Sequence, residues 1–251
     1  MGWGRADISQ ALGVLQVPKD ATVFVHANAG FLGKPKQGLL ANELATGFLN
    51  DSSRTVVLPA FTYSFGRGEV FDPLRAPSAM GVLSDLASDQ GWARSLDPMF
   101  SAWARGPRSD EFLRIEVPSS FGEGSIFRRL IDSDNSYLVT VNLGAGSTLV
   151  HEIEHGLGVS YRFEKLFDGL VQLEKGIEGS SWTSYVRDLD DPGSKHDFRR
   201  LTQDLGHTSL WKSTRVGNGQ IASVGIQKFQ RFIEERVAED TNYLISRGAG
   251  Q

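Results

Sequence analysis

The segment at 22–58 limits the fold of this chain more than any other part of the sequence. Residues 22–26 (TVFVH) and 55–58 (TVVL) are short runs of β-branched and aromatic residues, typical of buried strands. Between them, residues 39–49 have the apolar spacing of an amphipathic helix. Strand, helix and strand in this order predict a βαβ unit, which belongs in a layered α/β domain.

A second strand, turn and helix follow at 136–158. Residues 136–143 (SYLVTVNL) indicate a buried strand, and GAGST at 144–148 indicates a turn. A helix is expected to begin with Ser147 or Thr148 as its N-cap and to end near Gly156 and Gly158. Further helices are expected at 6–17, 78–87, 198–205 and 221–244, and a long functional loop at 62–80. Because no linker divides the sequence, we expect one three-layer α/β/α domain with a central mixed sheet over residues 1–251.

The charge and cysteine content exclude several classes of protein. The net charge at pH 7 is -4, so the chain lacks the basic footprint that nucleic acids require. It has no cysteine, which excludes disulfides, thiolate metal sites and a cysteine acyl-enzyme. No apolar run reaches the roughly 20 residues of a membrane span, and the first residues lack a signal-peptide pattern. We therefore expect no membrane association and a cytoplasmic protein.

His151 is the strongest candidate for a catalytic group. It falls in the first turn of a helix that follows a buried strand and a glycine-rich turn, where α/β proteins often bind ligands. Thr148 and Glu154 lie three residues to either side, so the three side chains share one helix face. A carboxylate beside an imidazole orients the ring and stabilises its protonated form. The spacing permits a general base at His151, and equally an ordinary structural histidine.

A second chemistry competes for the same segment. Residues 151–155 (HEIEH) match the H-E-x-x-H signature, in which His151 and His155 would bind zinc and Glu152 would act as the base. Against it, the predicted helix is very short and begins just after a glycine turn. From the residues alone, a zinc hydrolase stays open beside a metal-free base.

Motifs along the rest of the chain, from about 22 to 244, resemble one known family. The segments are TVFVHANAGFLG (22–33), TVVLPAFTYSF (55–65), FDPLRAPSAMGVLSDLA (71–87), ARSLDPMFSAWARG (93–106), FGEGSIFRRL (121–130), NLGAGSTLVHEIEH (142–155) and WTSYVRDLD (182–190). In this order they resemble the motifs of the aminoglycoside 3-N-acetyltransferases, which have the antibiotic acetyltransferase fold. The resemblance implies an enzyme that uses acetyl-CoA or another acyl-CoA and no metal, with Glu152 and His155 as incidental neighbours.

The resemblance also implies roles for individual residues. The Thr-x-x-His-x-x-Glu core falls on Thr148, His151 and Glu154, with the histidine as the base and the glutamate as its partner. Candidates for binding the coenzyme lie in the motif loops: His26, Ala27, Asn28, Gly33, Lys34, Gly38, Thr62 and Ser95, with Lys36 as a second lysine. Candidates for binding the acceptor are Tyr63, Asp97 and Asp190.

Three motifs depart from the family pattern. Ala27 and Asn28 replace a usual pair of serines, Gln37-Gly38 replaces Gly-Gly, and Asp97 replaces a histidine. The departures favour acyl transfer to the amine of a nucleotide-linked amino sugar over an aminoglycoside antibiotic. A diphosphate would need cations, for which Arg128-Arg129 and Arg199-Arg200 are candidates. A non-catalytic relative is a further alternative, and the chain is also compatible with a homodimer.

Overall fold

The computed structural model describes residues 2–49 and 52–246. In this part of the chain the strands are β1 (Thr22–Ala27), β2 (Thr55–Pro59), β3 (Val70–Phe71), β4 (Ala93–Arg94), β5 (Ala102–Arg105), β6 (Ser136–Val141), β7 (Arg162–Leu173), β8 (Gly176–Arg187), β9 (Lys212–Val216) and β10 (Gly219–Gly225). The helices are α1 (Arg5–Val14), α2 (Leu40–Phe48), α3 (Val82–Asp89), α4 (Ser109–Leu113), α5 (Ile126–Asp132), α6 (Leu149–Leu157), α7 (Phe198–Gly206) and α8 (Ile226–Glu239).

A seven-stranded mixed sheet forms the centre of the fold, in the order β4-β5-β2-β1-β6-β10-β9. Strand β1 pairs in parallel with β2 on one side and with β6 on the other, and the outer pairs are antiparallel. The β1–α2–β2 unit and the mixed sheet confirm the predicted α/β class. Because β1 and β6 run in parallel, their carboxyl ends lie side by side at one edge of the sheet.

Two hydrophobic cores cover the two faces of this sheet. Along β1, Phe24 belongs to the core that α4–α8 cover, whereas Val23 and Val25 belong to the core that α1–α3 cover. This alternation follows from the strand period of two. The three-layer α/β/α arrangement is therefore confirmed, and it leaves the carboxyl ends of the central strands open between the layers.

A long hairpin stands beside the central sheet. Strands β7 and β8 pair from Arg162↔Arg187 to Leu173↔Gly176, and β3 adds a third strand. Its inner face packs Val171 and Trp182 on Phe65 and Phe71. The sequence predictions did not include this hairpin, which brings Arg162 close to helix α6.

The helix predicted at 221–244 is wrong in its first part. Residues Gly219–Gly225 form β10 between β6 and β9, and helix α8 begins only at Ile226. A central strand is buried on both faces, so it has a continuous apolar run that resembles a buried helix. The tight turn at Gly217-Asn218, where Gly217 has φ 56°, was the missed signal of a hairpin.

The other predicted elements differ mainly at their boundaries. Helix α1 ends at Val14, before the predicted end at 17, and α3 begins at Val82 rather than at 78. The predicted loop at 62–80 contains a short 3-10 turn, Phe65–Arg67, and strand β3. No helix within 2–49 and 52–246 has the length and apolarity needed to cross a bilayer.

Candidate active site

Helix α6 begins at the edge of the sheet where β1 and β6 end. The glycines of the preceding turn allow it to pack on α7, because a Cβ on Gly144 would lie 2.3 Å from Thr202 and one on Gly146 would lie 2.6 Å from Phe198. Ser147 Oγ accepts a hydrogen bond from the backbone N–H of Leu149 at 3.3 Å. Thr148 makes no capping bond with its side chain, so its hydroxyl stays available to the space in front of the helix.

The predicted pair of His151 and Glu154 is present on the inner face of α6. Nδ1 of His151 donates to Oε2 of Glu154 at 2.7 Å, which fixes the tautomer and leaves the lone pair on Nε2. Burial lowers the pKa of His151 to about 4, because it outweighs the hydrogen bond with Glu154. The imidazole is therefore neutral at physiological pH, as a general base must be.

Glu154 is fully buried and charged. Burial favours its protonated form, but the hydrogen bond with His151 and the charge of Arg162 hold the pKa of Glu154 well below its usual range. Nε of Arg162 lies 2.9 Å from Oε2 of Glu154, as an ion pair without the alignment of a hydrogen bond. The hydroxyl of Tyr161 donates to Oε1 at 2.9 Å. These contacts give the carboxylate a fixed position behind His151.

His196 completes this cluster from a distant part of the chain. Its ring lies 4.5 Å from the ring of His151 and 5.0 Å from that of Phe198, between centroids. Nε2 of His196 is 2.5 Å from Nη2 of Arg162. Tyr161, Arg162 and His196 were missed by the sequence predictions, because no local spacing connects them with α6.

Two clefts meet at His151. The first, the α7 cleft, has a volume of about 780 Å³ and is lined mainly by the turn before α6 and by α7, including Gly144, Ser147, Phe198, Arg199 and Thr202. The second, the hairpin cleft, has a volume of about 940 Å³ and is lined by β7, β8 and the loops at 61–66 and 188–190. His26, Thr148 and His151 line both clefts. A group transferred between molecules in the two clefts would pass these three side chains.

His26 stands at the carboxyl end of β1, opposite α6. Its ring packs edge-on against Phe24 at 4.8 Å between centroids, and its Nε2 is buried without a hydrogen-bond partner. Burial, with a smaller effect of neighbouring His151, lowers the pKa of His26 to about 4. A second neutral imidazole therefore faces the junction of the clefts.

Four of the residues predicted for binding line the hairpin cleft. They are His26, described above, and Thr62, Tyr63 and Asp190. Thr62 is buried and its hydroxyl contacts that of Ser64 at 2.9 Å, whereas Tyr63 is 59% exposed and free to contact a ligand. Asp190 is exposed beside Asp188, whose Oδ1 accepts the backbone N–H of Asp190 at 2.9 Å.

Two predicted binding residues are instead structural. Asp97 is only 2% exposed and accepts the backbone N–H groups of Met99 and Phe100, both at 2.8 Å. Burial raises the pKa of Asp97 to about 6. Ser95 is 1% exposed and accepts the N–H of Ala102 at 3.0 Å. Both side chains shape the 95–102 loop, so they are not available to a bound molecule.

The predicted coenzyme loop lies beside the clefts rather than in them. Its backbone contacts the turn before α6, because Nδ2 of Asn142 donates to the carbonyl of Asn28 at 3.0 Å. Lys36 pairs with Asp7 at 3.2 Å, and Lys34 is exposed. The other residues of this loop that were predicted for binding do not line either cleft; they are Ala27, Gly33 and Gly38. Their role in binding a coenzyme stays a prediction.

The arginine pairs proposed for a diphosphate are engaged elsewhere. Arg128 pairs with Asp132, and Arg129 lies 3.3 Å from Glu116. Arg200 pairs with Asp240 at 2.5 Å. Arg199 pairs with Asp197 at 2.5 Å, and it is the one member of the two pairs that lines either cleft, namely the α7 cleft. All four arginines therefore have carboxylate partners.

The two histidines of the HEIEH segment belong to different environments. His155 contacts Glu164 at 3.1 Å, and Glu152 accepts the N–H of Gly122 at 2.8 Å. Among the described residues, the His, Asp and Glu atoms close enough to share an ion are those of His151, Glu154 and His196. His155 is outside that group, so the geometry does not support the arrangement that the H-E-x-x-H signature predicts.

Comparisons with known proteins show the family of this chain. The family model described as aminoglycoside 3-N-acetyltransferase matches residues 35–238. Similar solved structures include AAC-VIa bound to sisomicin (TM-score 0.81, 17% identity, covering 95% of this chain and 99% of that one) and AAC-IIIb with CoASH (0.80, 17%, 94% and 98%). A third is the apoenzyme of aminoglycoside acetyltransferase AAC(3)-IVa (0.77, 20%, 100% and 94%). A comparison with curated protein sequences gives no match.

Proposed function

This chain belongs to the aminoglycoside 3-N-acetyltransferase family, and from this premise we propose that it moves an acyl group from acyl-CoA directly to an amine of an amino sugar, with His151 as the general base. The observation that carries the proposal is the position of His151. Its ring, with the lone pair on Nε2, lines both clefts, and its Nδ1 is held by a buried carboxylate. We place the reaction in the cytoplasm as part of the same proposal.

The reaction needs no covalent enzyme intermediate. The amine nitrogen attacks the thioester carbonyl carbon, so a C–N bond forms and the carbonyl oxygen gains negative charge. Collapse of this intermediate breaks the C–S bond, and the proton that the amine loses passes through Nε2 of His151 to the departing sulfur, giving the amide and free CoA. A single base can carry out both proton transfers. The absence of cysteine in the chain accords with direct transfer.

Two side chains are suited to stabilise the developing negative charge. The hydroxyl of Thr148 is not used for capping, and the neutral imidazole of His26 offers one N–H. Both residues line the two clefts together with His151. Hydrogen-bond donors that are already in place cost no reorganisation when charge develops, which is why such groups contribute strongly to catalysis.

The charges of the clefts support an assignment of the two substrates. The lining of the α7 cleft contains one cation, Arg199, which pairs with Asp197, and no carboxylate, which suits the phosphate-bearing coenzyme better than a cationic acceptor. The hairpin cleft contains Asp188 and Asp190, which suit an ammonium group of the acceptor before it loses its proton. We therefore place acyl-CoA in the α7 cleft and the amino sugar in the hairpin cleft.

The hairpin cleft also contains cations, which bear on the acceptor. Lys165 packs on the ring of Phe167 at 5.1 Å, and Arg187 donates to the carbonyl of Asp188 at 3.2 Å. Lys165 and Arg187 thus contact neutral groups. This supports an acceptor with both an amine and an anionic group, such as a nucleotide-linked amino sugar, as the first candidate. An aminoglycoside is the second, supported by the family and by AAC-VIa bound to sisomicin.

The experiment is a thiol-release screen of the purified protein. Acetyl-CoA and longer acyl-CoAs are tested against aminoglycosides and against nucleotide-linked amino sugars, with mass spectrometry of the product. Acceptor-dependent release of free CoA together with an N-acylated product supports the proposal. Release that does not depend on any amine, or an acylated protein, would contradict direct transfer.

A further inference from the structure

The cluster behind His151 contains a conflict that the general-base mechanism must resolve. Arg162 is 5% exposed in its side chain, and its Nη2 lies 3.5 Å from Nε2 of His151. That nitrogen is the one that must accept the proton of the amine. A guanidinium only donates hydrogen bonds, so this contact is already a long, weak hydrogen bond to Nε2 of His151. A small rotation of Arg162 would shorten it and occupy the lone pair that catalysis needs.

His196 is placed to prevent this. Its Nε2 lies 2.5 Å from the same Nη2, one ångström closer than the nitrogen of His151. Because Arg162 can only donate, Nε2 of His196 must carry the lone pair and Nδ1 the proton. The contact of 3.4 Å between Nε2 of His196 and Oε2 of Glu154 is then not a hydrogen bond.

The backbone fixes His196 in this position. Residues His196 and Ile245 form an isolated β-bridge, and the N–H of Asp197 donates to the carbonyl of Leu244 at 3.0 Å. The ring stacks on Phe198 with an angle of 22° between planes. An acceptor held by both backbone and side-chain packing can set the direction of a neighbouring donor.

Resting on the function proposed above, we propose that His196 is a positioning residue: it takes the Nη2–H of Arg162 at short range, which limits Arg162 to a long contact with Nε2 of His151 and keeps that nitrogen available as the base. Arg162 must stay charged beside Glu154, whose carboxylate would otherwise be buried without a cation. His196 allows that ion pair to exist within reach of the base without blocking it.

Three variants separate this role from a general structural one. His196→Leu removes the acceptor, and His196→Asn keeps a polar side chain that is too short to reach the position of Nε2. His196→Gln places an amide oxygen near that position and can accept the hydrogen bond from Arg162. We expect kcat to fall roughly 10- to 100-fold in the first two variants and to recover in the third, with KM for acyl-CoA within about twofold throughout. His207→Leu, at an exposed position on the end of α7, is the matched control.

A nitrogen NMR measurement on the free protein tests the geometry without substrates. The chain has five histidines, so the His151 signals can be assigned from the spectrum of His151→Gln. In His196→Leu we expect the unprotonated Nε2 of His151 to shift upfield, because Arg162 turns to donate to it. His196→Gln should leave this signal as in the native protein.

Removal of the donor completes the test. Arg162→Lys keeps the positive charge but lacks Nη2, so adding His196→Leu to it should lower kcat no further. Equal losses in the Leu, Asn and Gln variants, or an unchanged His151 signal in His196→Leu, would overturn the proposal. Because the NMR result needs no acyl transfer, failure of the proposed function and failure of this positioning role are distinguishable.

Discussion

The inner and outer faces of helix α6 each hold a glutamate and a histidine, yet their surroundings differ. On the inner face, His151 and Glu154 are 2.7 Å apart and meet two clefts. On the outer face, Glu152 accepts the N–H of Gly122, and His155 contacts Glu164, whose side chain is 63% exposed. The residue types are the same, so the chemistry depends on burial and on the partners that other elements supply.

The two glutamates show this dependence most directly. Both are buried, but burial raises the pKa of Glu152, whereas the hydrogen bond from His151 and the charge of Arg162 outweigh burial and lower the pKa of Glu154. The pKa values of the two glutamates shift in opposite directions, which indicates that the two side chains have different roles. Glu154 stays charged beside His151, which suits the supporting role proposed for it, and Glu152 connects α6 to the loop that contains Gly122.

The largest expected effect comes from removing one histidine and keeping the other. His151→Ala should lower kcat for acyl transfer about 1,000-fold, because the amine loses its proton acceptor. His155→Ala should change kcat by no more than about twofold, since its partner is a largely exposed carboxylate. Steady-state thiol release measures both. A comparable loss in the two variants would remove the distinction between the faces.

The two glutamates give the next contrast. Glu154→Gln should lower kcat about 100-fold, because a neutral amide no longer stabilises the protonated imidazole or balances Arg162. Glu152→Gln keeps an oxygen for the N–H of Gly122 and should leave kcat within about twofold. Near-ultraviolet circular dichroism confirms the folded fraction of each variant before rates are compared. Retained activity in Glu154→Gln would show that the base acts without its carboxylate.

The pH dependence of the base is a smaller effect. His151 must be neutral to act, and burial lowers its pKa to about 4, so kcat/KM should lose only about tenfold one pH unit below that value. Between pH 5 and 7, ionisation of the acceptor amine should account for any remaining change. A proton-binding step near pH 6.5 in the enzyme would contradict the buried environment of His151.

The same pKa shift affects stability. The folded pKa of His151, about 4, is lower than its unfolded value of 6.5. As pH falls, the unfolded chain therefore binds the proton first, and the free energy of unfolding decreases from pH 6.5 to 4. His26, with its pKa also lowered to about 4 by burial, adds to this change. Thermal unfolding across this range measures it, and His151→Gln should reduce the slope.

Local patterns were enough to predict the parts of the fold that are set by neighbours in sequence. The β1–α2–β2 unit and the strand, turn and helix at 136–158 each carry their own periodicity and turn residues. Strand β10 was missed because it is buried on both faces, so its apolar run has no alternation to show. The long β7–β8 hairpin is specified by packing on Phe65 and Phe71 rather than by a strong local signal.

Part of the candidate site could likewise be predicted from local sequence patterns, and part could not. Thr148, His151 and Glu154 share one face of one helix, so their spacing alone could indicate that they lie together. Arg162 begins β7 and His196 precedes α7, and only the packing of these elements brings both to Glu154. Asp97 occupies a motif position but faces inward, where the backbone N–H groups of its own loop use it.

The smallest expected effect is that of a chelator, which tests whether the HEIEH segment binds a metal. A zinc hydrolase would use His151, His155 and Glu152 together, but His155 and Glu152 are bound to Glu164 and to the N–H of Gly122. The cluster that remains, on the inner face, includes the Arg162 cation within 2.9 Å of its carboxylate, which opposes a second positive charge. We therefore expect acyl transfer to persist after prolonged treatment with a chelator, with metal analysis showing no stoichiometric zinc. Stoichiometric zinc whose removal abolishes activity would instead show that the chemistry depends on a metal, held either by the HEIEH segment or by His151, Glu154 and His196.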